Sequence, residues 1–159
     1  MTTSNLAPLL REHPFLRGFT RDHIDFMVSC ASNVRFKEGD FLIREGEVAD
    51  YTTLIREGTV SLEIYVPGPG IQRVESLGAG DIVGYSWLFP PSRWNLDARA
   101  LTDGRGLRFD GTCLRRKMEE DHHFGYELSV RLLRNLTSRL DRVQLQHMDA
   151  YRGEAHERS

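Results

Sequence analysis

The stretch FKEGDFLIREGEVADYTTLIREGTVSLEIYV, residues 36–66, decides the fold. Short apolar clusters, Phe41–Ile43 and Thr53–Ile55, are separated by Gly39, Gly46 and Gly58. In Thr59–Val66, Val60, Leu62, Ile64 and Val66 alternate with Thr59, Ser61, Glu63 and Tyr65. A period of two marks a strand with one buried face. Pro67-Gly68-Pro69-Gly70 follows as a hairpin tip, where proline fixes φ and glycine supplies positive φ. The same texture extends over residues 32–110, with further strand candidates at Val34–Phe36, Gln72–Ser76, Ile82–Val83, Asn95–Leu101 and Arg105–Phe109. Short strands at near-regular spacing with glycine turns predict an antiparallel barrel or jelly roll of about eight strands.

Helical patterns flank this region. Residues 1–31 carry Ile24, Met27, Cys30 and Ala31 at helical spacing behind Thr20, a predicted N-cap. Leu6, Leu9, Leu10, Phe15 and Leu16 suit a shorter helix ending near Pro14. Beyond the strands, Asp110 is placed to cap a helix bearing Leu114 and Met118, and a longer helix begins near Asp121 or His122. Along the longer one, Leu133, Leu136, Leu140 and Val143 follow a 3,4,3 spacing, widened by Leu128, Leu132, Leu145 and Met148 and weakly continued by His147 and Ala150. It is predicted to run about 26 residues, roughly 40 Å, before a frayed tail, Gly153–Ser159. The class is mainly β with flanking helices: one domain over residues 1–152, with helices in 1–31, the roll in 32–110 and helices in 111–152.

Composition narrows the function. The chain has 159 residues, 21 Lys+Arg against 23 Asp+Glu, and a net charge of −2. A near-neutral chain has little bulk attraction for nucleic acid or an anionic membrane. No apolar run approaches the roughly 18–20 residues of a membrane span, and Met1–Pro14 lacks a signal peptide's basic start and apolar block. The expectation is a soluble, cytoplasmic protein. Cys30 and Cys113 are far apart in sequence with no paired spacing, so they are expected to be buried small hydrophobes with no disulfide framework or zinc site.

The order of helix, eight-strand roll, short helix and long helix resembles the cyclic nucleotide-binding domain of the catabolite activator (Crp/Fnr) family. Phe36–Glu47 looks like the family's opening strand pair, and Ala49–Tyr51 with Ile55–Val60 like the next. Gly78–Gly84 looks like the lead into its phosphate-binding cassette, and the resemblance covers about residues 12–150. It implies that a short helix's amides and an arginine hold the cyclic phosphate while a glutamate accepts the ribose hydroxyl.

This sequence departs from that pattern. The glutamate's place after Gly84 is taken by Tyr85, followed by Ser86, Trp87 and Leu88. Anchoring on Ala98-Arg99-Ala100 puts the family's arginine near Trp94 or Asn95, neither of them basic. Arg93 is one position away, and a one-residue shift in a strand reverses the face. Losing a charged contact to a buried phosphate costs about 2–5 kcal/mol. Nearby Asp97 is expected to disfavour an anion further. Tyr85, Trp87, Phe89 and Trp94 are expected to fill the pocket or to accept a less charged ligand, and Arg99 either faces the pocket or pairs with Asp97. No cofactor is expected beyond a cyclic nucleotide held in an altered pose.

Other motifs carry little. Gly78, Gly80 and Gly84 miss the dinucleotide fingerprint spacing, and Glu119–His123 lacks a completing HxxxH or ExxH pair. No HxH for a metal-dependent cupin and no nucleophile–histidine arrangement is suggested, so no enzyme is expected. The resemblance places a DNA-reading helix-turn-helix after the long helix in transcription factors, and the chain stops at Ser159 before one. Arg131, Arg134, Arg139 and Arg142, interleaved with Glu127 and Asp141, read as a solvated face rather than a nucleic-acid surface. The expected role is a regulatory or interaction module. Leu132, Leu133, Leu136, Leu140 and Val143 would join two copies or dock a partner protein. A working small-molecule sensor and a structural subunit of a larger complex are the competing readings.

Overall fold

The computed structural model describes residues 6–157, with the backbone alone for Ala7, His147 and residues 149–157. Two helices, α1 (Leu6–Glu12) and α2 (Arg21–Ser29), precede eight strands. These are β1 (Ala31–Phe36), β2 (Phe41–Ile43), β3 (Tyr51–Glu57), β4 (Val60–Val66), β5 (Gly70–Leu77), β6 (Ile82–Val83), β7 (Asp97–Ala100) and β8 (Gly104–Asp110). A single 3₁₀ turn, Ser86–Leu88, lies between β6 and β7, and α3 (Gly111–Glu120) and α4 (His122–Glu157) complete the described chain. The strands form two four-stranded antiparallel sheets, ordered β1-β8-β3-β6 and β2-β7-β4-β5, the jelly roll predicted from the glycine punctuation.

The predicted caps form. Thr20 Oγ1 accepts the His23 amide at 3.3 Å and Asp110 Oδ1 accepts the Cys113 amide at 2.8 Å. Asp121 Oδ1 accepts the Phe124 amide at 3.1 Å, satisfying one of the unpaired donors at the start of α4. That contact, with help from His23 and Lys117, holds the Asp121 carboxyl below its ordinary pKa. The core joins Leu54, Val60, Leu62, Ala98, Ala100 and Leu107 inside the roll to Leu10, Ile24, Met27, Leu114, Phe124 and Leu128 of the helices.

Three expectations need correction. The alternation in β4 holds for Val60 and Leu62, but Ser61 and Glu63 are buried as well and Ile64 is exposed. Arg99 clamps Glu63 through two hydrogen bonds of 3.0 and 2.9 Å, and Arg73 donates to Ser61, so the polar face is covered by its own ion pairs. Past a register shift at Leu62/Glu63, from Ile64 onward, β4 is paired with β5 but no longer with β7, and Ile64, Tyr65 and Ile71 are exposed. Second, α4 continues through Gly153 to Glu157, 36 residues or about 54 Å, where a frayed tail was expected from 153. One glycine costs a helix only about 1 kcal/mol and does not end it without a further stop signal. Arg158, Ser159 and the side chains of His147 and Ala150 lie outside the described residues.

The third correction concerns the cysteines. Cys30, at the end of α2, and Cys113, in the first turn of α3, form a disulfide with Cα atoms 6.1 Å apart. Sequence separation had argued against pairing, but β8 runs beside β1, and the Asp110 amide donates to the Cys30 carbonyl at 2.9 Å. The sheet register brings the two cysteines together. A crosslink spanning 83 positions restricts the unfolded chain enough to contribute about 4 kcal/mol. Reducing it, or the Cys113→Ser substitution, is expected to lower the melting temperature by about 10 °C at this size. An unchanged melting temperature in differential scanning calorimetry would show that the bond adds nothing to stability.

Candidate functional site

The segment between β6 and β7 folds around one close approach. Gly84 has φ +97°, and a Cβ added there would lie 2.6 Å from the Trp94 ring. Any other residue would be strained and would collide with the indole. Trp94 is 3% exposed, stacks edge-on against Tyr51 at 5.4 Å and is fixed by backbone hydrogen bonds to Gly46 and Glu47. Its indole fills the space beneath the turn. Trp87 is fully buried and donates to the Gly84 carbonyl at 3.1 Å, closing the turn on itself. A cis bond joins Pro90 to Pro91, after which Ser92 at φ 54° and Arg93 lead the chain back toward β7.

The long helix closes over this segment. Tyr85 donates its hydroxyl to Asn135 Oδ1 at 2.7 Å, and the Arg139 guanidinium lies 5.5 Å from the Tyr85 ring centre. Arg139 is 7% exposed, clamps the equally buried Glu75 of β5 and donates to the Ile82 carbonyl at 3.1 Å. One turn on, Arg142 bridges Asp81 at 3.1 Å and Glu75 at 3.6 Å. Burial pushes the Tyr85 phenol above its ordinary pKa, a shift that Arg139 opposes. Burial likewise opposes the charge on Arg139, but the hydrogen-bonded Glu75 carboxylate outweighs it and the pKa rises. The Arg139 cation beside the Tyr85 ring is thus already neutralised by a partner from the roll.

Comparison with known proteins assigns this architecture. The family model of the cyclic nucleotide-binding domain matches residues 33–121. The chain belongs to that family. A structure from Geobacter metallireducens GS-15, named for cyclic nucleotide binding, is similar with TM-score 0.75 and 24% identity, covering 88% of this chain and 98% of that one. A cyclic nucleotide-binding domain from Methylobacillus flagellatus KT gives TM-score 0.75 and 20% identity over 93% and 83% of the two chains. The N-terminal domain of a transcriptional regulator from Streptomyces coelicolor A3(2) gives 0.65 and 23% over 84% and 93%. No curated protein matches.

Within this cyclic nucleotide-binding domain the expected site residues separate. Gly84, Tyr85, Ser86, Trp87, Leu88 and Trp94 come together at the turn, and of the two positions weighed for the arginine it is Trp94 that points inward while Asn95 is exposed. Arg93 lies on the outside and donates to the Gly46 carbonyl at 3.2 Å. Arg99 neither faces the turn nor pairs with Asp97. It stands opposite the buried Ala98 and Ala100 and holds Glu63, while Asp97 accepts the Glu45 amide at 2.8 Å. Among the basic residues of α4, the solvated face fails for Arg139, which is buried, and for Arg131, which pairs with Glu127 and the Arg17 carbonyl.

Sequence reasoning missed Glu75, Asn135 and Arg139. The available signal was spacing: Asn135, Arg139 and Arg142 continue the 4,3,4,3 series begun by the buried Leu128 and Leu132. Polar residues on the inward stripe of a helix need buried partners. Arg139→Ala strands Glu75, with only Arg142 to replace the lost partner, and is expected to cost about 3 kcal/mol in urea unfolding. Adding Glu75→Leu should recover most of that loss. A loss below about 1 kcal/mol, typical of a surface pair, would show that this contact does not hold the helix.

Proposed function

We propose that this domain is a non-catalytic regulatory or interaction module that holds its closed arrangement with its own side chains, without a cyclic nucleotide held in the family's way. The supporting observation is the Trp94 ring lying against Gly84, where a Cβ would already be 2.6 Å away. A cyclic phosphate needs space and a free cation there. The space holds an indole, and Arg139 is committed to Glu75. Tyr85, in the place of the ribose-binding glutamate, is likewise spent on Asn135. Tyr85, Asn135 and Arg139 thus supply internally the contacts that a ligand would make between turn and helix, while Trp94 packs the turn.

The output surface in this reading is α4. Leu133, Leu136 and Leu140 are 62%, 45% and 56% exposed, and Leu145 and Met148 lie exposed further along the helix. Leu132 does not belong to this surface: it is 5% exposed and packs into the domain's own core. Val143 is half-buried. A second copy presenting the same stripe would cover these leucines in a two-helix seam.

Thermal unfolding with millimolar cyclic AMP, cyclic GMP and cyclic dinucleotides tests the first half. A ligand at 100 times its dissociation constant would add about 2.7 kcal/mol, a shift of roughly 5–10 °C. No shift is expected, and one of that order with any of these ligands would make the domain a sensor. Light scattering tests the second half: Leu136→Asp with Leu140→Asp is expected to halve the mass in solution. An unchanged mass would place the seam elsewhere.

A further inference from the structure

The disulfide does not lie sealed in the core. It lines an open cleft of about 760 Å3 between the end of α2, the first turns of α3 and the ends of β3 and β8. Cys113 is partly exposed and Cys30 is 8% exposed. Arg108 stands 4.2 Å over the Tyr51 ring with its Nε enclosed and without a hydrogen-bond partner. Arg116 and Lys117 line the same cleft from α3, three and four residues after Cys113, and Lys117 also pairs with Asp121. Asp50, Asp110 and Glu120 also border it, but Asp110 Oδ1 is engaged by the Cys113 amide. Ser29 Oγ lies 4.0 Å from Cys30 Sγ.

The cleft gives a small thiol access to the bond, and a thiolate attacks the disulfide sulfur that it can reach. Contacts other than the bond also hold these elements together. The Asp110 and Gly111 amides tie the start of α3 to the carbonyls of Cys30 and Asp50 at 2.9 and 2.8 Å, and Phe26 packs on Phe124. The two sulfurs therefore stay close enough to re-form the bond after reduction.

We propose that Cys30–Cys113 is an exchangeable disulfide, operated through this cleft by a small carboxylate-bearing thiol of the glutathione class. The thiolate attacks the more exposed Cys113 sulfur, forming a mixed disulfide and expelling Cys30 as thiolate, which takes a proton from water. A second thiolate attacks the small molecule's sulfur in the mixed disulfide, releasing the oxidised dimeric thiol and leaving Cys113 reduced. Two electrons pass from two thiols to the protein, and the reverse sequence restores the bond. Reduction unfastens α2 from the first turn of α3, the helix that packs against both the Ser86–Leu88 turn and α4.

The test uses the full oxidised chain at about pH 8, near the ordinary thiol pKa, with glutathione or with neutral 2-mercaptoethanol, and follows alkylation by mass spectrometry. The folded protein is expected to react with glutathione within about tenfold of the urea-unfolded rate, and faster per thiolate than with 2-mercaptoethanol. Arg116→Gln should remove the glutathione preference and leave the 2-mercaptoethanol rate unchanged. Hydrogen exchange after reduction should rise in residues 111–120 and 86–88 beyond the rise that the global loss of stability gives β4 and β5. Reaction only at the rate of global unfolding, equal rates with both thiols, or exchange that rises by the same factor everywhere would each overturn the proposal. So would two alkylatable cysteines in the air-oxidised protein.

Discussion

The arrangement of this molecule depends on a buried ion pair, Arg139 with Glu75. It carries a cation from the middle of a 36-residue helix into contact with a strand of the roll. Two charges taken out of water are tolerable only when they meet each other and further hydrogen-bond partners. Here the Ile82 carbonyl accepts from Arg139, and Arg142 reaches Glu75 and Asp81. Because these contacts lie on the stripe that Leu128 and Leu132 begin, they fix the rotation of α4 about its axis. That rotation determines which leucines face the roll and which face outward. The exposed row Leu133, Leu136 and Leu140 is therefore a consequence of where the charges went.

The same helix position governs the turn below it. Asn135 meets the Tyr85 hydroxyl one turn before Arg139, so a polar contact joins helix and turn, while the Trp94–Gly84 approach packs the turn itself. In a family named for binding cyclic nucleotides, the chemistry at this turn is aromatic and internally paired. A domain of this kind would keep its geometry and change its input. On the reading developed above, the variable input is the redox state of a cysteine pair at the start of α3, where Gly111 also meets Trp87.

Much of the fold was legible along the chain because its signals are local. Glycines at turns, the caps Thr20 and Asp110, the Pro67–Gly70 tip and the 3,4,3 leucine series each act over a few residues. The residues that form the turn, Gly84, Tyr85 and Trp87, were legible for the same reason, since neighbouring motifs set their positions. Where local pattern misled, a distant partner was responsible. Ser61 and Glu63 are buried because Arg99 and Arg73 cover them. Arg139 looked solvated because Glu75 is 64 residues away in sequence.

The sequence by itself determined the order of elements, the glycine-framed roll and the chemical identity of the groups at the turn, because each follows from short-range propensity and spacing. Tertiary structure decided which of those groups meet. It turned Trp94 inward and Arg93 outward, set Arg139 against Glu75 and brought Cys30 to Cys113 through the pairing of β1 with β8. Sheet register and helix rotation are collective outcomes of packing. They place residues far apart in the chain within bonding distance, and no local pattern encodes that.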